Sequence, residues 1–130
     1  MFYTFPHTLT ADESEDAPAE IELTLSAGVI HQVDVLFQDG CDHEIFVQIY
    51  LADLQLWPSN RGESLRGNAT VVSFREFYTV VSGNSILTAR FWSTLGSSWK
   101  EVIIQIGLLP KVVLQPLSFE ELLSAATGVE

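Results

Sequence analysis

The sequence predicts an all-β protein. It reads as an antiparallel β-sandwich over residues 21–111, with an extended N-terminal arm at 1–20 and a tail at 112–130 that carries a short helix. Three observations predict this. Apolar and polar residues alternate with a period of two through most of the middle of the chain, the pattern of strands with one buried face. Gly-, Asn-, Asp- and Pro-containing turn signals separate those runs. A composition of 47% apolar and 18% charged residues in 130 suffices for one core and is the opposite of a disordered chain.

The first twenty residues read as an arm. Phe2, Tyr3 and Phe5 make an apolar tip suited to docking on a neighbour or on its own domain. The stretch from Asp12 to Glu20 is acidic, lacks large apolar groups and contains Pro18, so it cannot bury enough surface to fold alone. Ile21, Leu23 and Leu25 then alternate with Glu22 and Thr24 as a first strand, broken at Ala27-Gly28. Val33, Val35 and Phe37 form the inward set of the next run, and His31, in register with them, is expected in the core or between the sheets. Asp39-Gly40 supplies a turn, since glycine tolerates positive φ. Ile45, Val47, Ile49 and Leu51 are the cleanest alternation, with Phe46, Gln48 and Tyr50 opposite. Leu54 and Leu56 continue it after a turn or bulge at Ala52-Asp53, and Trp57-Pro58 ends it.

Residues 58–69 read as a long loop. Residues 70–81 are β-branched and aromatic, and so strand-like. Leu87, Ala89 and Phe91 share one face of the run at 86–92, with Ile86, Thr88, Arg90 and Trp92 on the other. Val102, Ile104, Ile106 and Leu108 line one side of the last strand, which Pro110 closes. The period then changes. Ser118 as N-cap and Glu121 as its capping-box partner predict a helix over about 119–126, ended by Gly128.

The formal charge is −11, and its distribution is uneven: residues 1–60 hold eleven carboxylates and no Lys or Arg, while 61–130 hold six of each sign. Phosphate backbones and anionic membrane surfaces would be repelled, so neither nucleic acid nor membrane is expected as a partner. A basic protein surface would be attracted. The start, MFYTFPHTLTADESED, has neither a basic nor an apolar leader region, so no secretion signal is expected. One cysteine cannot form an internal disulfide.

Catalytic signals are sparse. Cys41 and His43 are spaced to face one side of an extended segment, as a nucleophile and base would, but no orienting third residue can be named. The set His7, His31, His43, Cys41, Asp39, Asp42 and Glu44 lacks the paired spacings of structural zinc and the Asp-rich loop of an EF-hand. No catalytic residue, metal or cofactor is therefore expected. Aromatic residues are the richer signal. Phe46, Tyr50, Trp92 and Trp99 on outward faces favour an oligomer interface or a second core covered by the arm; the alternative is a flat sugar-binding platform of Tyr50, Trp92 and Trp99 with Gln48 and Asp53 beside it.

From Gly28 on, the sequence resembles a loose group of small jelly-roll-like proteins encoded in tailed-phage and environmental viral genomes. Gly28-Val29-Ile30-His31, Phe37-Gln38-Asp39-Gly40-Cys41, Leu56-Trp57-Pro58-Ser59-Asn60 and Ile106-Gly107-Leu108-Leu109-Pro110-Lys111 carry the resemblance. It implies a jelly-roll-like sandwich and a non-enzymatic building block of a virus particle: a capsid decoration or cement protein, or a head–tail accessory subunit. Such a block is assembled in the host cytoplasm and partnered by its own copies and other virion proteins. Phe2, Tyr3 and Phe5 of the arm and Phe119 and Leu122 of the helix are the expected interface residues. The alternative is a carbohydrate- or receptor-binding sandwich module.

Overall fold

A computed structural model of the chain describes residues 1–10, 12–95 and 100–110. They form eight strands: β1 (Phe2–Thr8), β2 (Ala19–Thr24), β3 (Gly28–Phe37), β4 (Ile45–Leu51), β5 (Leu54–Trp57), β6 (Thr70–Val80), β7 (Ile86–Ser93) and β8 (Glu101–Pro110). Two four-stranded antiparallel sheets result, ordered β1-β8-β3-β6 and β2-β7-β4-β5. The pairings β1·β8, β2·β7, β3·β6 and β4·β5 nest inside one another. The chain is thus one long antiparallel ribbon, closed at the β4–β5 hairpin and folded across two layers. The lateral pairs β3·β8 and β4·β7 hold the folded ribbon in place.

The core lies between the layers, where the alternation placed it. Val33, Val35 and Phe37, Ile45, Val47 and Ile49, Leu87, Ala89 and Phe91, and the even-numbered set Val102 to Leu108 are all buried. Each residue facing the opposite sheet contributes roughly 1.5–3 kcal/mol by leaving water. The all-β character and the sandwich are therefore as expected, but the first twenty residues are not a detached arm. Residues 2–8 pair with β8 in register, from Phe2 opposite Gly107 to Thr8 opposite Glu101. Pro6 is tolerated because β1 is an edge strand with a partner on one side only. Leu9 follows with no exposed surface, its N–H donating to the Lys100 carbonyl at 2.9 Å. The acidic stretch then carries the chain to the other sheet. The Ser93 N–H donates to the Glu13 carbonyl at 3.0 Å, and the Glu13 carboxylate hydrogen-bonds His7 Nε2 at 3.0 Å. The expected C-terminal helix, with Phe119 and Leu122, lies outside the described residues.

His31 also departs from expectation. The register between β3 and β8 shifts between Ile30 and Gln32, so His31 and Gln32 together oppose Gly107. This bulge turns His31 onto the outer face, whereas strict alternation would have sent it inward. Gly107 makes the arrangement possible: a Cβ there would lie 2.9 Å from both His31 Nε2 and the Phe2 ring. The Phe2 and His31 rings meet edge to face, with centroids 5.9 Å apart.

Candidate functional site

The DGCDHE segment joins β3 to β4 and was the sharpest candidate for chemistry. Its backbone turns instead of extending: Gly40, Asp42 and His43 all have positive φ, at 93°, 52° and 59°. Asn68 stabilises the turn, its Oδ1 accepting from the N–H groups of Gly40 at 2.8 Å and Asp42 at 3.1 Å. Arg66 Nε donates to the His43 carbonyl at 2.7 Å. In consequence Cys41 is fully buried within the core while His43 is exposed, and the two are not presented on a common side. Burial pushes the Cys41 thiol above its ordinary range, opposed in part by a backbone hydrogen bond at Gln38 and by the Lys100 ammonium.

A thiol with a raised folded-state value ionises more readily in the unfolded chain. Its contribution to stability is therefore complete below the ordinary thiol range and is lost as pH rises through the raised value. The expected result is that alkylation of native Cys41 is slow and shifted to high pH, and reaches free-thiol rates only in denaturant. Native protein reacting as fast as a free thiol would contradict this placement. Among the described residues, no three His, Cys, Asp or Glu side chains converge to hold a metal ion.

The outer face of the β2-β7-β4-β5 sheet carries an aromatic and arginine layer. Phe46 and Trp92 are directly opposite in the β4·β7 register and stack with centroids 5.4 Å apart and planes 7° apart. The Arg66 guanidinium lies over the Phe46 ring at 4.5 Å, and Arg90 lies over Tyr50 at 4.6 Å. Arg90 Nη2 also meets the Glu20 carboxylate at 3.3 Å. That pair is half-exposed and contributes under about 1 kcal/mol. Arg90 Nε is buried without a hydrogen-bond partner among the described residues, a cost that the cation–π contact offsets. Arg66 and Arg90 are thus both engaged within the chain.

Gln48 and Gln55, both buried, organise the long loop beside this layer. Gln48 Nε2 donates to the Glu63 carbonyl at 2.9 Å, and its Oε1 accepts from the Tyr50 hydroxyl at 2.9 Å. Gln55 Nε2 donates to the Pro58 and Glu63 carbonyls at 2.7 and 3.2 Å, while its Oε1 accepts from the Gly62 N–H at 3.2 Å. The loop is therefore clasped by these side chains together with a backbone bridge between Leu65 and Val47, whose two hydrogen bonds are 2.8 and 3.0 Å. Replacing Gln55 by Leu strands the backbone groups it holds and should cost about 1–3 kcal/mol. Its specific sign is faster tryptic cleavage after Arg61, with other sites unchanged; an unchanged cleavage rate would count against the clasp.

An open cleft of about 590 Å³ lies at the end of this layer, between Tyr50, Asp53, Gln55 and Arg61. Of the residues expected to form a sugar platform, Tyr50 borders it beneath Arg90. Trp92 is only 7% exposed and packed on Phe46, so it offers no free ring face. Trp99 lies outside the described residues. Gln48, expected as a binding group, instead serves the loop, and Asp53 does line the cleft.

The expected interface residues of β1 are split by the strand's alternation. Tyr3 and Phe5 turn inward, stacked with centroids 6.3 Å apart and packed against the core, and the Tyr3 hydroxyl donates to Ser26 Oγ at 3.0 Å. Phe2 points outward and is 67% exposed. It joins Val71 and Phe77 of β6 as exposed apolar groups of the β1-β8-β3-β6 sheet. Val71 and Phe77 were not singled out in the sequence. The signal was present in the unbroken run at 70–81, but alternation cannot say which sheet edge is left open. Compared with known proteins, the chain matches no family model and no curated sequence.

Proposed function

We propose that the chain is a non-enzymatic structural protein of a virus particle, a capsid decoration or cement protein or a head–tail accessory subunit. It associates with its own copies and other virion proteins through the surfaces of its sandwich. The observation that carries this reading is the nested strand order, which we read as an eight-stranded jelly roll. That architecture is used by viral capsid and lectin domains. A fold alone does not select a function; the surface favours assembly. Phe2, Val71 and Phe77 are exposed large apolar side chains on one sheet, and aromatic residues of this kind are enriched where proteins meet. The acidic excess of residues 1–60 suits a basic partner. The resemblance to small viral jelly-roll-like proteins points the same way.

The role expected of a free arm passes to the sheet surfaces, because β1 belongs to its own sandwich. Light scattering and negative-stain microscopy of the purified chain over a wide concentration range test the reading. A discrete symmetric assembly is the expected result. A monomer at every concentration would remove self-assembly from the reading. Turnover of a substrate lost on a single side-chain substitution would remove its non-enzymatic part.

A further inference from the structure

Two open sheets leave four edges, and three of them carry features that oppose pairing with another chain. β1 contains Pro6, which has no N–H to offer. β2 has six residues and exposes Glu20 and Glu22. β5 has four residues and is flanked by the loop that Gln55 clasps. β6 opposes pairing least: it is the longest of the four edge strands, and its only charges are Arg75 and Glu76. It runs for eleven residues without Pro or Lys, and from Val71 to Val80 its burial alternates, although Glu76 and Phe77 together oppose His31 where the register with β3 shifts. Among the described residues no strand pairs with its outer edge. Its outward set includes Val71 at 50% exposure and Phe77 at 75%.

We infer that the β6 edge pairs antiparallel with β6 of a second copy about a two-fold axis, joining two sheets into one of eight strands. The inference rests on the assembly reading above and gives it a specific contact. Opposed residues of an antiparallel pair share a face, so outward residues must meet outward residues. A pair centred on Phe74 meets that condition and places Val71 opposite the partner's Phe77, and Ser73 opposite the partner's Arg75, each twice. The two exposed apolar groups of the strand thereby cover one another. Centring on Arg75 would oppose two guanidinium groups, and single-residue slips would set outward residues against inward ones.

Sedimentation of the full chain and of Phe77→Lys tests the contact. The wild type is expected to show a concentration-dependent dimer, and Phe77→Lys to weaken it by about tenfold or more, since the substitution acts twice. Val71→Cys/Phe77→Cys tests the register. The two positions lie roughly 20 Å apart along one strand, too far to bridge within a chain, so a covalent dimer on a non-reducing gel reports the pairing across copies. Val71→Cys/Thr79→Cys should give none. An assembly that Phe77→Lys leaves unchanged overturns the β6 contact while the assembly reading stands. A monomeric chain overturns both, and protected β6 amides in that monomer would identify another segment of the same chain as the cover.

Discussion

Leu9→Ala should lower the stability of the sandwich by about 2–5 kcal/mol, the cost of removing a buried leucine and leaving a cavity. Against the 5–15 kcal/mol or so that holds a typical domain together, that is a large loss. Leu9 has no exposed surface and lies where the chain leaves β1, tied to β8 through the Lys100 carbonyl. It closes one side of the space between the sheets together with His7, whose ring meets Phe91 at 4.8 Å. Deleting residues 1–10 should do more, since it also strips the β8 edge of seven paired residues and prevents cooperative folding. Phe2→Ala, at an exposed position on the same strand, should change stability by under about 1 kcal/mol. Urea unfolding of the three variants separates a strand of the fold from an appended arm. An N-terminally shortened chain with wild-type stability would restore the arm.

Trp57→Ala should cost about 3–5 kcal/mol. Trp57 is buried at the end of β5 and meets Phe74 and Tyr78 of β6, with ring centroids 5.9 and 6.0 Å away. It closes the side of the sandwich opposite Leu9 and connects two strands of different sheets that no backbone ladder joins. Thermal unfolding followed by circular dichroism measures the loss. A melting temperature within a degree or two of wild type would mean that β5 and β6 are held by something other than this indole. Trp57→Phe should recover much of the stability, because most of the buried apolar surface returns. Phe77→Lys on the outer face of the same β6 strand should melt almost as the wild type does, which separates its effect on association from any effect on folding.

Seven of the eight strands are legible in the residues, because a half-buried strand must repeat every two residues. The inward sets at Val33–Phe37, Ile45–Ile49, Leu87–Phe91 and Val102–Leu108 are the core as it stands. Local turn chemistry is legible too: Gly40 after Asp39 adopts the positive φ expected of it. The missed strand, β1, hides behind Pro6 and a short run without clean polarity, and only its pairing with β8 declares it. The Cys41–His43 pair looked plausible because spacing assumes an extended chain, whereas Asn68, far along the sequence, bends the segment into a turn. The availability of an aromatic platform turns on a contact of the same long-range kind. Trp92 does lie on an outward face, but whether an outward ring is bare depends on its cross-strand neighbour, here Phe46.

Alternation of side chains along the backbone was enough to establish the fold class, the buried set and the strand count to within one. These are consequences of local geometry and of the transfer of apolar groups from water. The pairing partners, the bulge that turns His31 outward, the clasp of Gln48 and Gln55 on the loop, and the place of β6 at a sheet edge came only with the folded chain. Each depends on contacts between residues distant in sequence, and no local pattern encodes which distant group will arrive.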